Sequence, residues 1–169
     1  MSESTQNCPP GTNSRVENSD SARPKQHHPE FYMQDGSVIL ELSVQPGILY
    51  RLHASILAKC SAAFEGMFLL PQGDTSPERT EGKTDSHPIN LPLPLNTTAL
   101  DFDHLLDYIY NGATEHPQTD EFRVSVLQLS TFFELDDGIK YAIKEFEGMG
   151  KKFDPALQFQ LARMFRVDK

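Results

Sequence analysis

The hydrophobic periods along this 169-residue chain predict an α+β fold, a short mixed sheet (hairpin plus a third strand) flanked by about five or six helices. Three observations carry that expectation. Period-two alternation is confined to residues 38–52 and 89–96, the latter read as a short strand at 88–92 with an extended exit. Helical stripes occupy 53–68 and most of the chain after residue 96. The helices are gathered toward the C-terminal half instead of alternating with strands, which argues against a doubly wound sheet.

Each element has its own signal. After Asp35-Gly36, a turn signature, Val38, Leu40, Leu42 and Val44 share one face with Ile39 opposite, which is strand periodicity. Gln45-Pro46-Gly47-Ile48 suits a type II turn, because Gly accepts positive φ at the third position. Leu49-Tyr50-Arg51-Leu52 completes the hairpin. From His53 to Phe68 the period becomes helical: Ile56, Cys60, Ala63 and Met67 form one stripe, with Leu57, Phe64 and Phe68 beside it. A short strand at 88–92 is bounded by prolines, which lack a ladder donor. Thr97 or Thr98 caps a helix through Tyr110 with Phe102, Leu105, Leu106 and Ile109 inward, and Asn111-Gly112 stops it. A helix over 120–134 carries Val124, Val126, Leu127, Leu129, Thr131 and Phe133. Asp136-Asp137 opens another through Ile139, Ala142, Ile143 and Phe146. Asp154-Pro155 starts the last, with Leu157, Leu161, Met164 and Phe165 on one side.

Composition sets the boundaries. Residues 1–30 hold only Met1, Cys8, Val16 and Ala22 as apolar side chains and no aromatic, too little to offset chain ordering, so a disordered tail is expected there. The domain is expected over 31–147, with a polar loop insertion at 72–88 also read as disordered, and a helical extension at 148–169. The net charge of -9 argues against holding nucleic acid by its phosphates. No run of eighteen apolar residues exists to span a bilayer, and no basic-then-apolar leader opens the chain. A cytoplasmic and/or nuclear protein is the expectation. Cys8 and Cys60 are too few for a disulfide framework or a four-thiolate zinc site.

In sequence order, these residues resemble the BTB/POZ family. Asp35-Gly-Ser-Val-Ile-Leu, Tyr50-Arg-Leu-His53, Leu57, Ser61-Ala-Ala-Phe64 and Met67-Phe68 match, followed by Pro88-Ile-Asn-Leu91 and Phe102 to Tyr110. The tail from Asp154-Pro155 through Leu161-Ala-Arg-Met-Phe-Arg-Val is similar to the extension of fungal BTB-containing proteins. The resemblance makes His53, Leu57, Ser61, Phe64, Met67 and Phe68 fold-signature positions. It implies a non-catalytic protein–protein interaction module that mediates self- or partner association. Substrate adaptor for a cullin-type ubiquitin ligase and transcriptional co-regulator scaffold are narrower roles found in the family. The charged pocket of many family homodimers falls at Ser37 and Ala54, so both charges are absent. The apolar-x-Glu segment of several cullin adaptors is missing from 66–90.

No enzyme motif occurs, so no catalytic, cofactor or metal residue is assigned. Cys60 is expected on the inner stripe as inert core. Ser61 is expected to bond backward along its helix. His27-His28 with Glu30 lacks a third anchor for a metal. Asp101, Asp103 and Asp107 read as a solvated face, without apolar surroundings to raise a pKa. Ser76-Pro77 reads as a phosphosite candidate. The stripe of Leu157, Leu161, Met164 and Phe165 is the candidate interface, and charge splits with it: residues 31–139 sum to -11 and 140–169 to +3.

Overall fold

A computed structural model describes residues 25–70, 80–112 and 119–149. Strand β1 (Gln26–Tyr32) is followed by β2 (Val38–Leu42) and β3 (Ile48–Leu52), then helices α1 (Ala54–Cys60) and α2 (Ala62–Leu69). Strand β4 (Ile89–Leu91) precedes α3 (Ala99–Asn111), α4 (Asp120–Phe132) and α5 (Asp136–Met149). β2 and β3 form the expected antiparallel hairpin, with Leu40 opposite Tyr50 and Ile39 opposite Arg51. Gly47 turns the chain at φ 95°, and its N–H donates to Glu41 Oε1 at 2.7 Å. β4 runs parallel to β2 and β1 parallel to β3, so the mixed sheet has the order β1-β3-β2-β4.

One face of this sheet makes the core. Leu40, Leu42, Tyr50 and Leu52 meet Leu57, Phe64, Phe102, Leu105, Leu106, Leu129 and Phe133 there. Each such burial stabilises by roughly 1.5–3 kcal/mol. Phe64 stacks on Phe133 at 4.7 Å and Tyr50 meets the edge of Phe102 at 5.5 Å. Thr98 and Asp101 close a reciprocal capping box at the start of α3, fixing the second of the two offered caps. α4 and α5 form a hairpin with a smaller cluster of Leu127 and Ala142. Gly138 permits its close approach: a Cβ there would stand 2.1 Å from Ser130 Oγ.

Four expectations need correction. First, order begins before residue 31, because β1 starts at Gln26. Polar contacts supply what apolar residues do not: Lys25 pairs with Glu41 at 3.0 Å, and His28 stacks on Tyr50 at 4.6 Å. His28 Nδ1 accepts the N–H of Phe31 at 3.0 Å, supporting the irregular middle of the strand and leaving Nε2 to face Asp103 at 3.5 Å. Second, part of the 72–88 insertion is ordered. Gly82 O accepts the N–H of Ile39 at 2.8 Å, while Asp85 accepts the Tyr32 hydroxyl at 2.7 Å and meets His27 Nε2 at 2.8 Å. Residues 82–85 therefore cross from β2 to β1 over the outer sheet face, where Ile39 and Leu49 are buried. Third, the single helix over 53–68 is two helices. Ser61 is extended (φ -143°, ψ 124°) and its hydroxyl accepts the N–H of Phe64 at 3.0 Å. That hydroxyl also donates across to Phe133 O, so Ser61 bonds forward and outward, not backward along a helix. Fourth, the break moves the inner line to Leu57, Ser61 and Phe64, which leaves Cys60 exposed. Beyond these, Val44 lies past the end of β2 and is exposed, as is Ile143 on α5.

Candidate interaction surfaces

The fold-signature residues serve the interior. Leu57 and Phe64 are fully buried, and Met67 and Phe68 pack against the same core. His53 stands at the corner between β3 and α1. Its backbone N–H donates to the Tyr110 hydroxyl at 3.0 Å, and Nε2 faces the Asp35 carboxylate at 3.1 Å; in the neutral ring Nε2 donates there and Nδ1 accepts from the Tyr110 hydroxyl at 3.3 Å. The bond from His53 holds the exposed Asp35 carboxyl below its ordinary range. The neighbouring positions Ser37 and Ala54 are joined by a neutral bond, the Ala54 N–H donating to Ser37 Oγ at 3.0 Å.

A cluster of Ser125, His104 and Asp101 between α3 and α4 has the residue types of a hydrolase triad but not the wiring. The Ser125 hydroxyl donates to Asp101 Oδ1 at 2.5 Å, so His104 Nδ1 must donate to Ser125 Oγ at 3.0 Å. The imidazole thus opposes deprotonation of the serine instead of assisting it, and Ser125 is 1% exposed. Sequence reasoning did not bring these three together, because Ser125 comes from α4 and Asp101 and His104 from α3, and they match no local motif. Asp103 departs from the expected solvated face. Burial pushes its carboxyl up, even though His28 and the Tyr50 hydroxyl, 3.0 Å away, favour its charge. His27 and His28 bond different acids and do not converge, and the described residues contain no group of three or more His, Cys, Asp or Glu able to hold a metal.

An open groove of about 680 Å³ lies where α1 ends, α2 begins, α3 ends and α5 starts. Glu65, Glu134, Asp136 and Asp137 line it against two cations, Lys59 and Lys140. Cys60 opens on the same rim, and Tyr108 stacks on Tyr141 at 5.0 Å in its wall. A shallower depression of about 370 Å³ is lined by Val44, Thr97, Ala99 and Leu100 at the opposite end of α3.

A family model described as BTB/POZ domain matches residues 38–147, well over half of the chain. The chain belongs to the BTB/POZ family. Among solved structures it is similar to the BTB domain of zebrafish PATZ1, at 18% identity and a TM-score of 0.44, covering 67% of this chain and 76% of that one. No curated protein sequence matches it. A BTB/POZ domain is a protein–protein interaction module, and its members mediate association and dimerisation. In this BTB/POZ domain, no helix among the described residues is long and apolar enough to cross a membrane. Ser76 and the stripe of Leu157, Leu161, Met164 and Phe165 lie outside the described residues.

Proposed function

We propose that this chain is a non-catalytic BTB/POZ interaction module that works by holding a protein partner. The observation that carries this reading is the disposition of its polar groups. The reactive-looking residues are spent on internal bonds: His53 on Tyr110 and Asp35, Ser61 on Phe133, and Ser125 on Asp101. Of the groove acids, Asp137 pairs with Lys140 at 3.5 Å, while Glu65, Glu134 and Asp136 stand exposed on the surface. A surface so arranged binds more readily than it reacts. The apolar-x-Glu segment of several cullin adaptors is absent from 66–90, so a cullin is not the partner proposed. Self-association, if used, proceeds without the charged pocket, since Ser37 and Ala54 meet through a neutral bond.

Affinity purification of the full chain from its native cell, beside Phe64→Asp as a control for loss of fold, tests the proposal. Light scattering gives the oligomeric state of the same material. Partners or dimers specific to the folded chain are expected. A strict monomer retaining nothing beyond the control would end this reading, as would a turnover activity abolished by Ser125→Ala.

A further inference from the structure

We propose that the middle of β1 is an acid-released latch: neutral His28 ties residues 28–31 to the domain, and a proton on its Nδ1 unties them while both ends of the strand stay attached. The device goes beyond the interaction-module reading and does not depend on which partner that module holds. The ring's charge state follows from the donors around it. His28 Nδ1 accepts the N–H of Phe31 at 3.0 Å and that of Glu30 at 3.3 Å. A backbone N–H can only donate, so Nδ1 carries no proton and the ring is neutral, with its hydrogen on Nε2. An imidazolium donates from both nitrogens. Its Nδ1–H would point at two N–H groups, and both bonds go together. They stand in for a gap in the ladder: Gln26 and His27 pair with Ile48 and Leu49 of β3, and pairing resumes only at Tyr32.

Asp103 opposes this release, and only in part. His28 lies against Tyr50, stacked at 4.6 Å, and Phe31, at 5.3 Å, while its Nε2 faces Asp103 Oδ1 at 3.5 Å. A carboxylate there attracts the charged ring. The same Oδ1 already accepts the Tyr50 hydroxyl at 3.0 Å, and His104 of α3 also acts on it. Burial pushes the Asp103 carboxyl up, so the acid that charges the ring also weakens the pull of Asp103 on it. Glu30, beside the ring on β1, is exposed, where salt screens its charge. The latched state therefore binds one proton fewer at His28 than the open state, and latching is favoured at higher pH and lost as pH falls.

The ends of β1 respond differently. Gln26 donates its N–H to Gly47 O at 2.7 Å and Met33 donates its own to Arg51 O at 2.9 Å, bonds that no side-chain proton disturbs. His27 Nε2 lies 2.8 Å from Asp85 Oδ2. Burial raises that carboxyl, but bonds from Tyr32 and His27 outweigh it and hold it low. Charging His27 therefore strengthens its bond. Adjacent histidines answer acid in opposite senses. Opening is confined to 28–31, which carries Phe31, the one buried side chain of the strand.

The test follows the ¹⁵N-labelled full chain by NMR between about pH 7.5 and 5.5, the span in which imidazole ordinarily titrates. At the upper pH the His28 ring nitrogens should show the Nε2–H form. As the ring gains its second proton, the Phe31 amide should lose roughly tenfold of its protection against hydrogen exchange, corrected for the intrinsic rate, while the amides of the β2–β3 hairpin keep theirs. His28→Asn keeps a side-chain acceptor but cannot titrate, so Phe31 should be protected equally at both pH values. His27→Asn should leave the response in place. A Phe31 amide equally protected on both sides of the ring's titration, a ring that stays neutral to the lower pH, or a loss that persists in His28→Asn would overturn the latch. So would a loss spread over the β2–β3 hairpin, because acid would then be unfolding the sheet as a whole.

Discussion

Asp101 and Asp103 stand two residues apart on α3 and shift in opposite directions. Burial raises Asp101, but bonds from Ser125 and Thr98 outweigh it and hold the carboxyl low. For Asp103 burial prevails over His28 and Tyr50. The linkage signs follow. Stability from Asp101 is present above the unfolded carboxylate pKa of about 3.9, and is lost as pH falls through its lower folded value. The penalty at Asp103 is present above its raised folded pKa and disappears below the unfolded one. Asp101→Asn should therefore cost roughly 1–2 kcal/mol at pH 7 in urea unfolding, with the difference narrowing near pH 3. Asp103→Asn keeps an acceptor for Tyr50 and should leave stability at pH 7 unchanged or up to about 1 kcal/mol higher. The sequence placed both acids on one helix, but it could not place His28 and Tyr50 against one and Ser125 against the other. Those neighbours are distant in sequence.

At the scale of elements, legibility followed apolar periodicity. The hairpin, β4, α3, α4 and α5 were readable because each alternates or repeats on its own account. The strand β1 was not, since its order comes from contacts with acids elsewhere in the chain. His28→Ala should consequently cost about 1–3 kcal/mol, by leaving the Phe31 N–H and Asp103 without their imidazole, whereas the exposed Glu30→Ala should cost close to nothing. The α1–α2 break was equally hidden, because Ser61 fits a helical period until its hydroxyl finds Phe133 across the core. In the α4–α5 hairpin, Gly138→Ala should destabilise by about 1–3 kcal/mol, since the new methyl collides with Ser130. Ser130 Oγ is buried without a partner, so Ser130→Ala alone should be neutral or mildly stabilising. The double variant should recover part of the loss, not all of it, because Ser130 Cβ would still be 2.9 Å away. A double-mutant cycle by thermal unfolding measures that coupling.

For the molecule as a whole, the charge imbalance was legible and its placement was not. The groove gathers residues from four helices, and only the run Glu134, Asp136 and Asp137 hinted at it locally. Family membership was readable because the signature residues are the core itself, where spacing in sequence and packing in space impose the same requirement. Both edges of the sheet also carry prolines, Pro29 within β1 and Pro88 and Pro92 beside β4, which discourages growth by strand addition.

The arch of residues 82–85 over the outer sheet face has a practical consequence. It rivets the second half of the polypeptide to the first at two strands, through Gly82 on the interior strand β2 and Asp85 on the edge strand β1. Scission engineered between Gln72 and Ser76 should hence yield two pieces that migrate as one particle on a native gel and part only in denaturant. Such a chain is a ready split reporter: neither half alone owns a complete sheet, and reunion of the two restores it.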